Sequence, residues 1–500
     1  MKKILIANRG EIAVRIIKTC REMGITTVAV ASEADRNARH SVEADECHII
    51  GPPPAGESYL LGNRIVDLAV ANEVDGIHPG FGFLSENADF AGAVRQAGIT
   101  FVGPSVEAIE VMGSKQRSKQ LMQKAGVPTV PGYHGQNQDP GFLQEKATEI
   151  GFPLLIKASA GGGGKGMRVV HEPDAFVTEL DTAKREARAA FGDDTVLLER
   201  YLRKPRHIEF QIMGDQHGHL IHLFERECSI QRRHQKIVEE TPSTALDETL
   251  RGAMAEAALA AGKAVGYDNA GTVEFMLDED GSFYFLEMNT RLQVEHPITE
   301  MITGLDLVKL QIKSARGEIL PLAQNQVTRR GHAIEVRVYA EDPANHFFPQ
   351  TGTLVRYREP EGLGIRVDSG IREGDEISVF YDPMVAKLIA YGHDREEART
   401  KLRSALSHYP VHGVRTNIGF LREILGQEAF IAGDTTTDYL ERNPVANGAD
   451  PPLEVVLALA SLAEPANRTQ GTLAGKAEVA ENKDPWQTLP QWRIARGGSK

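Results

Sequence analysis

The chain has 500 residues, too many for one ordinary hydrophobic core and enough for about three domains of roughly 100 to 200 residues each. With 41% hydrophobic and 25% charged residues its composition is that of a soluble globular protein, and 69 acids against 56 bases leave a net charge of −13. That balance argues against a nucleic-acid partner, which needs clustered Lys and Arg, but leaves room for a small anionic ligand in a local basic pocket. Three widely spaced cysteines, Cys20, Cys47 and Cys228, suggest neither a disulfide framework nor a thiolate zinc site and fit a reducing, cytoplasmic setting. The opening MKKILIANRGE loses its apolar run at Asn8 and Arg9, too early for a signal peptide, and no run approaches the roughly 18 apolar residues of a membrane helix.

In chain order, KILIA, TTVAV, CHII, DGIH and ITFVG read as short strands between helical or polar stretches, the pattern of a doubly wound parallel sheet. The first helix, expected over Glu11 to Met23, places Ile12, Ile16, Cys20 and Met23 on one stripe, and Gly24 stops it. From about Gly113 to Tyr201 a second unit holds the strands PLLIKAS, MRVV and TVLLER around a glycine run. From about Arg206 onward, strands joined by turns dominate: HIEFQIMGDQHGHLIHLF, EFMLDEDGSFYFLEMN and HAIEVRVYA, with a helix over Arg251 to Val265. Alternation in HAIEVRVYA puts Ile334, Val336 and Val338 on one face and Glu335, Arg337 and Tyr339 on the other. Beyond Asn443 the text becomes VANGADPP, an Ala- and Leu-rich helix to about Leu462, and a polar tail.

SAGGGGKGM carries consecutive glycines from Gly161 to Gly164, then Lys165 and Gly166. Gly161, Gly163 and Gly166 satisfy G-x-G-x-x-G, but MRVV follows as a strand where the dinucleotide fingerprint needs a helix. A Walker A loop fails as well, since Ser159 stands where it needs glycine and Gly166 where it needs Ser or Thr. What remains is strand, glycine loop, strand. Such a loop offers backbone N–H groups to a triphosphate with no side chain in the way, and Lys157 adds charge from the preceding strand. A plain hairpin tip needs fewer glycines than this.

The stretch Glu274 to Asn289 predicts a hairpin about a two-residue Asp280-Gly281 turn, which sets Glu274 opposite Glu287. Facing carboxylates repel by a few tenths to about 1 kcal/mol when exposed and more when desolvated. A divalent cation such as Mg²⁺ removes that cost, and Asn289, on the same face, adds an amide oxygen. A solvated edge hairpin is the alternative. Nearby, SIQRRHQKIVEE and NTRLQVEHP bring Lys236, Arg291 and Glu295 beside the hairpin, while Arg232 and Arg233 read as a solvated face.

Lys115, Lys157 with its glycine loop, Glu199, and Glu274 and Glu287 followed by MNTR resemble the ATP-grasp fold. More narrowly, ANRGEIAVR, HPGFGFLSEN, KASAGGGGKGMRVV, RHIEFQ, RECSIQRRHQK, EMNTRLQVEHPITE and GHAIEVRVYAEDP resemble biotin carboxylase, the ATP-dependent component of biotin-dependent carboxylases, from Met1 to about residue 443. The resemblance implies an α/β and α+β multidomain architecture: a Rossmann-like N-terminal domain over 1–112, and an ATP-grasp region over 113–330 with a glycine-loop lid at about 129–203. A mixed β-rich C-terminal domain follows over 331–443, then a linker or incomplete domain over 444–500.

It also implies an ATP-dependent ligase that activates bicarbonate as carboxyphosphate and carboxylates biotin at N1. On this resemblance Lys115, Lys157, His207, Gln231 and His234 contact ATP phosphates or ribose, Gly162, Gly163, Gly164, Gly166 and Met167 close over the nucleotide, and Glu199 to Leu202 face the adenine. Glu274, Glu287 and Asn289 bind Mg²⁺ or Mn²⁺; Lys236, Arg291, Gln293 and the Val294 backbone form the bicarbonate pocket; Glu295 is the base; Arg337 stabilises the ureido oxyanion of biotin. Phe81 stands where the family commonly has the tyrosine of HPGYGF beside biotin, which keeps the ring and loses the hydroxyl.

No carrier-lysine motif of the A-M-K-M type occurs, so biotin is expected as a substrate on a carrier domain, either another chain or a segment beyond Lys500. The tail DPWQTLPQWRI resembles the junction in longer acyl-CoA carboxylase α subunits of the methylcrotonyl and propionyl types, ahead of an acetyl-CoA carboxylase component. A carboxyltransferase subunit and a homodimer are the further expected partners. The rival enzyme reading is another ATP-grasp carboxylate-amine ligase or a carbamoyl-phosphate-forming enzyme, which would keep the nucleotide residues without Arg291, Gln293, Glu295 and Arg337. A non-catalytic nucleotide-binding regulator is the rival outside enzymes.

Overall fold

Five parallel strands, β1 (Lys3–Ile6), β2 (Thr26–Ser32), β3 (Glu46–Gly51), β4 (Gly76–His78) and β5 (Thr100–Phe101), form the first sheet in the order β3-β2-β1-β4-β5. The central strands β1 and β2 are mainly apolar because helices cover both faces, so Ile4, Leu5 and Ile6 are all fully buried, while the edge strand β3 is half-exposed. The helix Gly10–Glu22 follows β1 and seats Ile12, Ile16 and Cys20 against Ile4 and Ile6. Chain order reverses beside β1, and ligands of such sheets gather at the carboxyl ends of strands near that reversal. There Asn8 donates to the carbonyls of Pro79 at 2.7 Å and Phe81 at 2.8 Å, fixing the loop that carries Phe81 and Glu86.

This computed structural model describes residues 1–159, 167–233 and 235–445. The glycines Gly162, Gly163, Gly164 and Gly166, His234, and the tail with its expected helix to about Leu462 lie outside the described residues. Among the described residues no helix is long and apolar enough to cross a membrane.

A second, antiparallel sheet orders its strands β6 (Gly132–Tyr133), β9 (Val196–Arg200), β7 (Leu154–Ala158), β8 (Met167–Val170). The helices Pro140–Ile150 and Phe176–Phe191 cover it through Leu143, Ala147, Phe176, Leu180 and Ala183, giving it a core of its own. Met167 pairs with Lys157 across β7 and β8.

The third sheet has eight antiparallel strands. From one edge they run β14 (Phe283–Asn289), β13 (Asn269–Leu277), β10 (Arg206–Gly214), β11 (Leu220–Arg232), β12 (Gln235–Thr241), β15 (His332–Tyr339), and then Met384–Gly392 and Ile365–Ser369. Because β12 pairs with β15, the sheet is continuous across residue 330. Ile334, Val336 and Val338 point into a core with Leu388 and Leu402, so Glu335 and Arg337 leave the opposite face. All of β15 is buried, and its polar face therefore lines an interior site rather than solvent.

The hairpin β13–β14 departs from the expected turn. Asp278 N–H donates to Ser282 O at 2.8 Å, Gly281 N–H to Asp278 O at 3.1 Å, and Gly281 has φ +81°, so Glu279, Asp280 and Gly281 form a three-residue loop. From such a loop a regular ladder would pair Leu277 with Phe283, Phe275 with Phe285, and Glu274 with Leu286. The first two pairs form; a bulge then absorbs Leu286, and Glu274 meets Glu287, with Thr272 opposite Asn289 beyond.

Candidate active site

Glu274 is the hub of the acidic cluster. Its Oε1 accepts from Lys236 Nζ at 2.9 Å, Asn289 Nδ2 at 2.9 Å and Gln293 Nε2 at 3.2 Å, and its Oε2 lies 2.8 Å from His207 Nε2. Burial alone would raise this carboxyl, but Lys236 and His207 outweigh it and hold the group well below the ordinary carboxylate range. Gln231 orients His207 by donating from Nε2 to its Nδ1 at 2.7 Å. Glu287, facing Glu274, is pushed the other way by burial and then by Glu274 itself, with Lys115 opposing. Among the described residues Glu287 has no ion-pair partner, so the facing carboxylate pair fits the hard, oxygen-preferring Mg²⁺, whereas Asn289 turns its Nδ2 to Glu274 and gives its Oδ1 to Arg291, so its expected amide oxygen is already taken.

Two other acidic groupings have metal-ligand spacing, His207, Glu209 and Glu274, and Glu209, Cys228 and Glu295. Lys236 already fills that space: its Nζ lies 2.5 Å from Glu209, 2.9 Å from Glu274 and 2.6 Å from Glu295. Glu295 is fully buried, and its second oxygen accepts from Arg337 Nη2 at 3.0 Å, while Arg337 Nε donates to Glu239 at 2.7 Å. Against the effect of burial, Lys236 and then Arg337 hold the Glu295 carboxyl far down and keep it ionised. Glu239 lacks that degree of compensation, and burial pushes it up to about 7.

Arg291 closes the pocket from the segment after β14. Its Nη1 donates to Gln293 Oε1 at 2.9 Å, its Nη2 to Asn289 Oδ1 at 2.9 Å, and its Nε to Glu86 Oε2 at 2.7 Å. Gln293 thus touches both Arg291 and Glu274, and the next carbonyl, that of Val294, accepts from Lys387 Nζ at 2.7 Å. Phe81 is half-buried nearby, its ring centroid 5.9 Å from the same Nζ.

Toward the second sheet the charge becomes positive. Lys115 opens the helix Lys115–Lys124, and Lys119, one turn on, shares its face. Burial and then the charge of Lys115 lower Lys157 to about 8. Lys119 is pushed well down by burial and by Lys157 and Lys115. Three crowded ammonium groups suit a polyphosphate. In the structure Glu199 pairs with Lys157 at 2.5 Å and also with Lys119, so its side chain faces the lysines and any contact with a base falls to its backbone. Leu202 is buried just beyond β9.

The structure thus brings Lys115, Lys157, Glu199, His207, Gln231, Lys236, Glu274, Glu287, Asn289, Arg291, Gln293, Val294, Glu295 and Arg337 into two adjoining clusters. One expectation is corrected: Arg232 is not a solvated side chain, since its Nη2 donates to both oxygens of Glu341 at 2.8 Å and its guanidinium stacks 4.1 Å from the Phe347 ring. Arg233 is exposed. Sequence reasoning missed Glu86, Lys119, Glu209 and Glu239. Period-2 alternation within RHIEFQ could have placed Glu209 on the face of His207; the others have only distant or ordinary helical neighbours.

Residues 1–109 match the family model "Biotin carboxylase, N-terminal domain", residues 114–323 "Carbamoyl-phosphate synthase L chain, ATP binding domain", and residues 335–442 "Biotin carboxylase C-terminal domain". The chain is 50% identical over 495 residues to the mitochondrial methylcrotonoyl-CoA carboxylase subunit alpha of Dictyostelium discoideum, covering 98% of this chain and 70% of that one. It is 51% identical to a biotin carboxylase of Halalkalibacterium halodurans over 90% of this chain and all of that one. Among solved structures, the biotin carboxylase domain dimer of Hydrogenobacter thermophilus 2-oxoglutarate carboxylase, in complex with MgADP, ADP and bicarbonate, superposes with a TM-score of 0.86 at 48% identity, covering 90% of this chain and 99% of that one. The parallel nucleotide-type sheet and the antiparallel sheets around a lysine and carboxylate site are those of an ATP-dependent ligase. The chain belongs to the biotin carboxylase family. It spans 60 to 70% of the length of the methylcrotonoyl-CoA carboxylase α subunits that it matches.

Proposed function

We propose that the chain catalyses the ATP-dependent carboxylation of biotin by bicarbonate, and that the site residues divide that work by the charges they meet. The observation that carries this reading is the Glu295 carboxylate, buried and gripped from opposite sides by Lys236 at 2.6 Å and Arg337 at 3.0 Å beside the Glu274–Glu287 pair. Lys236 and Arg291 attract bicarbonate and, with Gln293 and the Val294 N–H, orient it; the planar fork of Arg291 suits a planar anion. Glu295 takes its proton. The bicarbonate oxygen then attacks the γ-phosphorus of ATP, ADP leaves, and carboxyphosphate results. Lys115, Lys119 and Lys157 hold the phosphates, and Gly162, Gly163, Gly164, Gly166 and Met167 cover them, with His207, Gln231 and His234 at ribose or phosphate and residues 199–202 at the adenine. Glu274 and Glu287 would hold Mg²⁺ or Mn²⁺, which supplies charge neutralisation for the transferred phosphoryl group. Carboxyphosphate breaks into CO₂ and phosphate, and the phosphate removes the N1 proton of biotin. Arg337 stabilises the resulting ureido oxyanion, with Phe81 against the ring system, as N1 attacks CO₂.

We assign the nucleotide chemistry to residues 113–330, between domains over 1–112 and 331–443. Biotin would arrive on a carrier domain, the carboxyl group would pass to a carboxyltransferase subunit, and the enzyme would work in the cytoplasm as a homodimer. Nearly equal identity to a methylcrotonoyl-CoA carboxylase subunit and a free-standing biotin carboxylase leaves the acyl-CoA to be chosen outside this chain. ATP hydrolysis measured with and without bicarbonate and free biotin tests the reading. Turnover should require bicarbonate, rise with biotin, and fall steeply in Glu295→Gln and Arg337→Ala; indifference to biotin would favour a different ATP-dependent ligase.

A further inference from the structure

Lys387 is fully buried, yet no step above uses it. It lies on the strand Met384–Gly392 directly across the ladder from Arg337, so both side chains leave one face of the sheet side by side. Arg337 holds the carboxylate of Glu295 at 3.0 Å, and Lys387 Nζ holds the carbonyl of the preceding residue, Val294, at 2.7 Å. The Val294 carbonyl and the side chain of the next residue, Glu295, are therefore held by two neighbouring cations. The same Nζ lies 3.3 Å from Glu11 Oε1 and 3.8 Å from Asp368 Oδ2. Its shortest contact is to the carbonyl rather than to either acid, which an ion pair serving stability alone would not require.

The segment that Lys387 grips is irregular backbone between β14 and the helix His296–Thr303. Gln293 O is satisfied by the His296 ring at 2.7 Å, and Val294 O by Lys387. Without that amine a part-buried carbonyl loses its donor and the Val294–Glu295 peptide is free to rotate, taking with it the Glu295 N–H and the direction of the Glu295 side chain. Glu11, on the helix Gly10–Glu22, meets the amine from the opposite side and ties its place to the N-terminal sheet.

Resting on the carboxylation reading, we propose that Lys387 is a positioning residue for the bicarbonate step: it fixes the Val294–Glu295 peptide so that the Glu295 carboxylate is aimed at the anion beside the Val294 N–H, whose own peptide His296 holds through Gln293 O. The test is steady-state ATP hydrolysis by the 500-residue chain and three variants. Lys387→Met keeps the stem and removes the donor; the double variant Lys387→Met with Glu11→Gln also removes the acid left without its partner, so that a folding defect of the single variant does not decide the outcome. Lys387→Arg restores charge and donor. In both methionine variants the KM for bicarbonate should rise about 10- to 100-fold, as misplacement of a reacting group by an ångström does, with the KM for ATP within about 2-fold of the parent. The arginine variant should recover most of that loss. An unchanged bicarbonate KM, or an ATP KM that rises in step with it, overturns the proposal. Absence of bicarbonate-dependent hydrolysis in the parent chain would instead defeat the carboxylation reading.

Discussion

Replacing Lys236 with methionine removes a cation that touches Glu209, Glu274 and Glu295 at 2.5, 2.9 and 2.6 Å. Each acid retains another partner: Arg226 for Glu209 at 2.5 Å, His207 for Glu274 at 2.8 Å, and Arg337 for Glu295 at 3.0 Å. The variant therefore leaves one excess negative charge shared among three buried carboxylates, and deleting one partner of a buried ion pair costs about 3 to 5 kcal/mol. Uptake of a proton limits the loss, and Glu209, already raised by burial, is the natural recipient. A carboxyl raised in the folded state stabilises below its unfolded pKa, and that contribution is lost as pH rises through the folded value, at up to about 1.4 kcal/mol per pH unit. The destabilisation should accordingly be larger at pH 8 than at pH 6 by up to about 2.7 kcal/mol. In the parent, Glu274 and Glu295 are depressed, so their contribution is present above the unfolded carboxylate pKa and fades only on acidification, outside this window. Urea unfolding followed by far-UV circular dichroism at the two pH values reads the difference. A loss below about 1 kcal/mol that is equal at both would refute the shared-charge argument.

Glu287→Gln should separate stability from function at the acidic hairpin: it removes the repulsion with Glu274 and should stabilise the ligand-free protein by about 1 kcal/mol, while raising the Mg²⁺ concentration for half-maximal ATP hydrolysis about 10-fold or more. A variant that binds Mg²⁺ as before would remove Glu287 from the metal site. Glu11→Gln should change the pH profile of stability. Burial lifts the Glu11 carboxyl from 4.5 to about 7, partly against Lys387, so the parent loses stability as pH rises between those values. Denaturation midpoints from pH 5 to 8 should fall less steeply in the variant, by up to about 1.4 kcal/mol per pH unit, and parallel curves would show that Glu11 is ionised throughout.

Part of the candidate site is written in local patterns, while most of its residues entered through the family resemblance. Alternation in HAIEVRVYA put Arg337 opposite the apolar face, and β15 does bury Ile334, Val336 and Val338 in the core while Arg337 reaches Glu295. Contacts between distant segments had no such mark: Glu86 and Arg291 are 205 residues apart, and nothing near either names the other. Lys119 carries no such mark either: nothing in KQRSKQLMQK separates it from the other cations of its helix, yet the fold buries it and pairs it with Glu199, the partner of Lys157.

The facing of Glu274 and Glu287 shows how an expectation can succeed for an incomplete reason. The pattern predicts a two-residue turn with an unbroken ladder; the chain turns on Glu279, Asp280 and Gly281 and then skips Leu286. The two departures cancel at the acids. A bulged leucine beside Phe285 leaves no trace in an apolar run, because the residue that falls out of the ladder is as hydrophobic as those that stay in it. Without the bulge the three-residue loop would set Leu286 against Glu274 and turn Glu287 to the other face. A regular ladder would have avoided the cost of opposing a buried and a half-buried carboxylate. That the strand is instead broken where it brings them together argues, on the proposed Mg²⁺ role of Glu274 and Glu287, that this register serves binding and not the stability of the hairpin.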